Sequence, residues 1–69
     1  MDFVIEKGHE TIAIEVKSGS RWNDRDLNGL KTFLDQHPVC KAGILAYNGT
    51  EAVSLGNRLW AIPIDLLLS

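Results

Sequence analysis

Residues 11–18 read Thr-Ile-Ala-Ile-Glu-Val-Lys-Ser, and this stretch decides the fold. Ile12, Ile14 and Val16 alternate with Thr11, Ala13, Glu15 and Lys17. Period-two alternation with β-branched residues predicts a β-strand. Upstream, Phe3 and Ile5 alternate in the same sense with Asp2, Val4 and Glu6, which predicts a second strand. Gly8-His9 lies between them, and glycine at the first central position suits a type II′ hairpin turn. The turn then sets the register. Lys7 faces Glu10, Ile5 meets Ile12, Phe3 meets Ile14, and Asp2 meets Glu15. Directly opposed residues share a face with Cβ atoms about 4.5–5.5 Å apart. Asp2, Glu15 and Lys17 are therefore expected to cluster at one end of one face. A one-residue slip would bury these charges and expose the isoleucines, so the pattern resists it.

Downstream, Ser18-Gly19-Ser20 reads as a loop. Asn23 is a helix N-cap, with Asp24 in the positive first turn and Asp26 three residues beyond the cap. Trp22 and Leu27 occupy the staple positions that flank such a cap. Leu27, Leu30, Phe33, Leu34 and His37 recur at helical spacing, and Pro38 ends the helix. Ala42–Tyr47 (AGILAY), closed by Asn48-Gly49, predicts a strand buried on both faces. A strand, a helix and a strand in succession predict a right-handed crossover that sets it parallel to the strand at 11–18. Residues 50–57 read as a loop or poorly formed strand, 58–62 as a last strand, and Ile64–Leu68 as a short apolar tail. The fold class is thus α/β: β-hairpin, helix, strand and a further strand in a mixed sheet.

The 69 residues allow one domain, 45% hydrophobic and 23% charged, as in an ordinary globule. A chain this small buries only about 60% of its unfolded surface, and its core supplies roughly 3–5 kcal/mol. Cys40 is the single cysteine, so no internal disulfide can form, and Cys and His are too few for a structural zinc site. The absence of a signal peptide, and of any apolar run near the ~20 residues of a membrane span, points to the cytoplasm and away from a membrane. A net charge of −2 argues against a general nucleic-acid binder.

Asp2 opposite Glu15 is a like-charge pair, which destabilises a sheet unless something neutralises it. A divalent cation would do so, because magnesium takes one or two carboxylates together with waters and substrate phosphate oxygens. Lys17, two residues beyond Glu15 on the same face, could orient a water or stabilise phosphate charge. Arg21, Arg25 and Lys31 could reach a phosphate backbone nearby. The plainer reading makes the trio a solvated strand face with a surface ion pair of small worth, and Arg25 a cation neutralised by Asp24 and Asp26. Asn23 and Trp22 are more simply a cap and a staple, Cys40 a buried thiol, and Tyr47 and Trp60 packing residues.

Asp2, a hairpin and then Glu15-Val16-Lys17 resemble the D…(D/E)xK signature of the restriction-endonuclease-like superfamily. The resemblance implies that Asp2 and Glu15 bind Mg²⁺ or Mn²⁺, that Val16 lends its carbonyl to the metal, and that Lys17 serves the water and the scissile phosphate. Nearly the whole chain, from DFVIEKG through IAIEVKSGSRWNDRDLNGLKTFLDQHP and GILAYNG to AIPIDLLL, is similar to the C-terminal domain of unknown function behind many prokaryotic AAA-type ATPases. That similarity implies an accessory nuclease-like domain acting with an ATPase module of the same parent chain, with DNA one candidate partner and the choice between DNA, RNA and protein left open. The alternative is a catalytically inactive nuclease-fold module that binds protein or nucleic acid. The superfamily core starts with a helix and a strand that would precede Asp2, so residues 1–69 are expected to be a truncated single domain. No G-x-x-x-x-G-K-[ST] loop is present. An open sheet edge at the first strand predicts self-association.

Overall fold

The computed structural model describes residues 2–69. The hairpin forms with the predicted register. β1 (Phe3–Lys7) and β2 (Glu10–Val16) run antiparallel, with Phe3 opposite Ile14, Ile5 opposite Ile12 and Lys7 opposite Glu10. Gly8 takes a φ of +62° in the turn, while His9 keeps a negative φ. One positive φ at the first central position is what a type II′ turn requires, and glycine has no Cβ to oppose it.

The helical segment starts at the predicted cap. Asn23 Oδ1 accepts the N–H groups of Arg25 and Asp26, and Asp26 Oδ2 accepts the N–H of Asn23, completing a capping box. The first turn, Asp24–Leu27, is a tight 3₁₀ turn. It continues as α1 (Asn28–Gln36), which stops two residues before Pro38. β3 (Ala42–Tyr47) then pairs parallel with β2, Ile14 beside Ile44 and Val16 beside Ala46.

Three features of the second half differ from expectation. Residues 50–57 hold a two-residue strand, β4 (Val53–Ser54), paired antiparallel with the last strand. That last strand, β5, spans Leu59–Pro63 rather than 58–62, because Arg58 takes a φ of +64°, outside strand geometry, although its carbonyl still accepts the Gly43 N–H at 2.7 Å. The predicted apolar tail is a short helix, α2 (Ile64–Leu68). Pro63 serves as its N-cap residue without a side-chain cap bond. Packing of Ile64 and Leu67 on the sheet, rather than a capping signal, accompanies this helix.

Among the described residues the five strands form one mixed α/β sheet in the order β1-β2-β3-β5-β4. On one face Ala13, Leu45, Tyr47, Leu59 and Ala61 pack with Leu27, Leu30 and Leu34 of the helical segment. A Cβ added to Gly43 would lie 3.0 Å from Leu34 Cδ1, so glycine here lets α1 sit close on β3. On the other face Ile14, Ile44 and Ala46 carry the shorter α2. Arg58 closes the far end of α1: its guanidinium donates to the carbonyls of Leu34, His37, Pro38 and Cys40. These carbonyls lie at and just beyond the helix C-terminus, where backbone acceptors lack intrahelical partners.

Candidate functional site

The alternation along β2 places Ala13, Glu15 and Lys17 on the α1 face. Ala13 is covered by the helix, whereas Glu15 and Lys17 lie beyond its first turns and border an open cleft of about 440 Å³. Val16 and Ser18 form the rest of the strand wall. Arg25, Asp26 and Gly29 form the helix wall, with Leu45 of β3 between them. The cleft thus lies at the carboxyl ends of parallel strands beside a helix start, which is where open α/β sheets bind ligands.

The strand wall is fixed by two backbone bonds. Lys17 N–H donates to the Ala46 carbonyl at 2.8 Å, extending the β2–β3 ladder one residue past the strand. Successive N–H groups along a strand point to opposite edges, so that of Val16 points toward β1. There it donates to Asp2 Oδ2 at 2.7 Å. Asp2 therefore ends the hairpin ladder with a side-chain oxygen in place of a backbone carbonyl. The sequence brought Asp2, Glu15 and Lys17 together as side chains on one face. In the structure Glu15 and Lys17 line the cleft, while Asp2 reaches the same tripeptide through the Val16 amide.

The helix wall carries an acid that the sequence assigns to the cap and to Arg25. Lys17 Nζ donates to Asp26 Oδ1 at 3.3 Å, both side chains being largely covered. The carboxyl of Asp26 is held below its ordinary value of 3.8, first by the backbone hydrogen bond from Asn23 and then by Lys17, with partial desolvation acting the other way. The structure thus adds Lys17 to the partners expected for Asp26. Nothing in the sequence pointed to it, since Lys17 and Asp26 are joined only through a loop whose path the residues do not encode.

The remaining sites are placed as follows. Arg25 lines the cleft; Arg21 is exposed outside it, and Lys31 borders a separate depression near Arg58. The Cys40 thiol is buried, donating to the carbonyls of Thr11 and Ala42 at 3.4 Å, two residues before β3 begins. His37 stacks on Phe33 with ring centroids 4.0 Å apart, and His9 is exposed in the hairpin turn. Tyr47 is buried and its hydroxyl donates to the Glu51 carbonyl, while Trp60 is partly exposed.

A magnesium-type ion needs one or two carboxylates, with waters and phosphate oxygens completing six ligands. Asp2 and Glu15 supply that number. The bond at Val16 brings the first acid to the residue between Glu15 and Lys17, and a carboxylate that accepts one hydrogen bond keeps further acceptor capacity. The number of acids thus matches such an ion, with Glu15 lining the cleft and Asp2 bonded to the Val16 amide beside it. Among the described residues no group of three or more His, Cys, Asp and Glu side chains converges, so protein ligands alone would not fill its shell.

The sequence model of a domain of unknown function, DUF4143, matches residues 1–67. The chain belongs to the DUF4143 family. No curated protein and no solved structure matches it. The cleft described above falls wholly within the DUF4143 match. None of the helices is long and apolar enough to cross a membrane among the described residues.

Proposed function

We propose that this DUF4143 domain has a restriction-endonuclease-like core and acts on phosphodiesters with a divalent cation, as an accessory module of an AAA-type ATPase. The observation that carries this reading is the Asp2 carboxylate held on the Val16 amide at 2.7 Å, beside the cleft that Glu15 and Lys17 line. Asp2, Glu15 and the Val16 carbonyl would hold Mg²⁺ or Mn²⁺. Such an ion polarises a phosphoryl oxygen and lowers the pKa of a bound water. Lys17 stabilises charge developing on the phosphate, and Arg25 on the opposite wall positions the backbone of a DNA strand, with Arg21 reaching it from outside the cleft.

The test is a titration of Mn²⁺ into the protein and its Glu15→Ala variant while thermal unfolding is followed. An ion bound only by the folded state stabilises it by RT ln(1 + [L]/Kd), about 2.7 kcal/mol at a hundredfold excess over Kd. The expected result is a rise in the midpoint that the variant loses. No rise in either protein overturns the reading.

A module that binds without cleaving is the second reading, and the Lys17–Asp26 ion pair favours it, because that pair already gives the ammonium an anionic partner within the protein. Metal-dependent stabilisation without cleavage of a phosphodiester would select it. On either reading the open edge of β1 pairs with a second copy of the chain.

A further inference from the structure

Asp26 makes two bonds of different purpose. The bond from Oδ2 to the Asn23 N–H, at 2.9 Å, belongs to the capping box and locks the carboxylate to the start of the helix. That cap bond and the positive first turn already favour a carboxylate here, and the other oxygen remains free to act outside the cap. The second bond goes across the cleft, from Lys17 Nζ to Oδ1.

We propose that Asp26 is the positioning residue of the cleft, holding the Lys17 ammonium between the strand wall that bears Glu15 and the helix wall that bears Arg25. The inference rests on the reading of the cleft as a phosphodiester site and specifies how its lysine is presented. Three observations support it. Lysine has a flexible four-carbon stem and a large rotamer entropy, so an untethered ammonium at a strand end samples many positions. Asp26 removes that freedom, and its own freedom is removed by the backbone bond at its other oxygen. Glu15 and Lys17 also share a strand face two residues apart, so without a second anion the ammonium would be drawn toward Glu15, the acid proposed to hold the cation. An anion on the opposite wall draws it across the cleft instead. Finally, the two walls are tied by the intervening loop: the Asn48 N–H donates to the Gly19 carbonyl at 3.0 Å, anchoring the loop to the end of β3. The distance between Asp26 and Lys17 is thereby set by the framework. Asp26 acts through Lys17 and is not itself a catalytic residue.

Asp26→Asn tests this, because its amide oxygen can still accept the Asn23 N–H while the anion facing Lys17 is gone. The metal-free protein is followed by side-chain NMR of the Lys17 Cε and Nζ groups. The expected result is an ordered lysine in the parent and a mobile one in Asp26→Asn, with order restored in Asp26→Glu. Cleavage of bis(p-nitrophenyl) phosphate with Mn²⁺ should fall in kcat by about 10–100-fold in Asp26→Asn at unchanged KM, the scale of a misplaced catalytic group. The rise in midpoint with Mn²⁺ should persist in that variant, because Asp26 is not among the proposed ligands. Equal Lys17 mobility in the parent and Asp26→Asn overturns the proposal. If the parent shows neither a metal response nor cleavage, the phosphodiester reading fails by itself, and the NMR comparison still decides whether Asp26 holds the lysine.

Discussion

β1 and β3 are written in similar residues, Phe-Val-Ile in the first and Gly-Ile-Leu-Ala in the second, yet their surroundings are opposite. Every residue of β1 is exposed, whereas five of six in β3 are buried. β3 has a strand on each edge, the helical segment on one face and α2 on the other. β1 has β2 on one edge and an open edge on the other, so Phe3 and Ile5 remain 56% and 51% exposed. They border an apolar groove that continues over Ile14 and Val16 to Ile64 and Leu67. The difference teaches that apolar sequence specifies a strand, while its place in the sheet decides how much that strand stabilises the fold. Apolar area contributes roughly 25 cal/mol per Å² only when it leaves water.

Replacing Leu45, which is fully buried at the centre of β3, tests the stronger half of this comparison. Leu45→Ala should cost about 2–5 kcal/mol, enough to unfold much of so small a domain at room temperature, as read by circular dichroism in urea. Ile5→Ala should cost less than about 1 kcal/mol, because half of the side chain is already in water. Equal losses would mean that β1 is covered in solution.

Arg58 joins the end of α1 to the start of β5, so its loss should loosen the buried half from a distance. Arg58→Ala should cost about 1.5–3 kcal/mol through the charged hydrogen bonds to the helix-end carbonyls. Arg58→Gly should be more stable than Arg58→Ala by about 1 kcal/mol, since the φ of +64° is unfavourable for any residue with a Cβ. Denaturant midpoints of the two variants check the order.

The open half of the comparison predicts association. Sedimentation of the parent should show concentration-dependent self-association through β1, and Ile5→Lys should abolish it with little change in monomer stability, since a charge on an edge strand blocks edge pairing. A parent that stays monomeric at high concentration removes this expectation.

The smallest effect lies at the end of β2, between the two strands. The Asp26 carboxyl is held below 3.8 in the fold, so its contribution to stability is complete above that value and is lost as pH falls through the lower, folded one. The acid limb of a thermal-midpoint titration should flatten below about pH 4 in Asp26→Asn.

Much of the fold was legible in the residues. The Gly8-His9 turn and the alternation of Ile12, Ile14 and Val16 left one register that buries the isoleucines. Asn23 marked the helix start and Ala42–Tyr47 the parallel strand, each through a local rule. The placement of Glu15 and Lys17 on one face followed from strand period alone. Less legible were α2, which is short and uncapped and rests on Ile44 and Ala46, and β4, whose two residues exist only as partners of β5. The bonds of Arg58 span 18–24 residues and left no pattern in the chain.

By itself, the sequence determined the hairpin, its register, the capped helix and the strand after it, because these depend on turn chemistry, periodicity and a cap within a few residues of one another. Tertiary structure alone decided that Asp2 ends the ladder at Val16, that Asp26 pairs with the Lys17 ammonium, and that Arg58 closes the helix. Each of these is a choice among several polar groups of matching charge, and only distance in three dimensions distinguishes them.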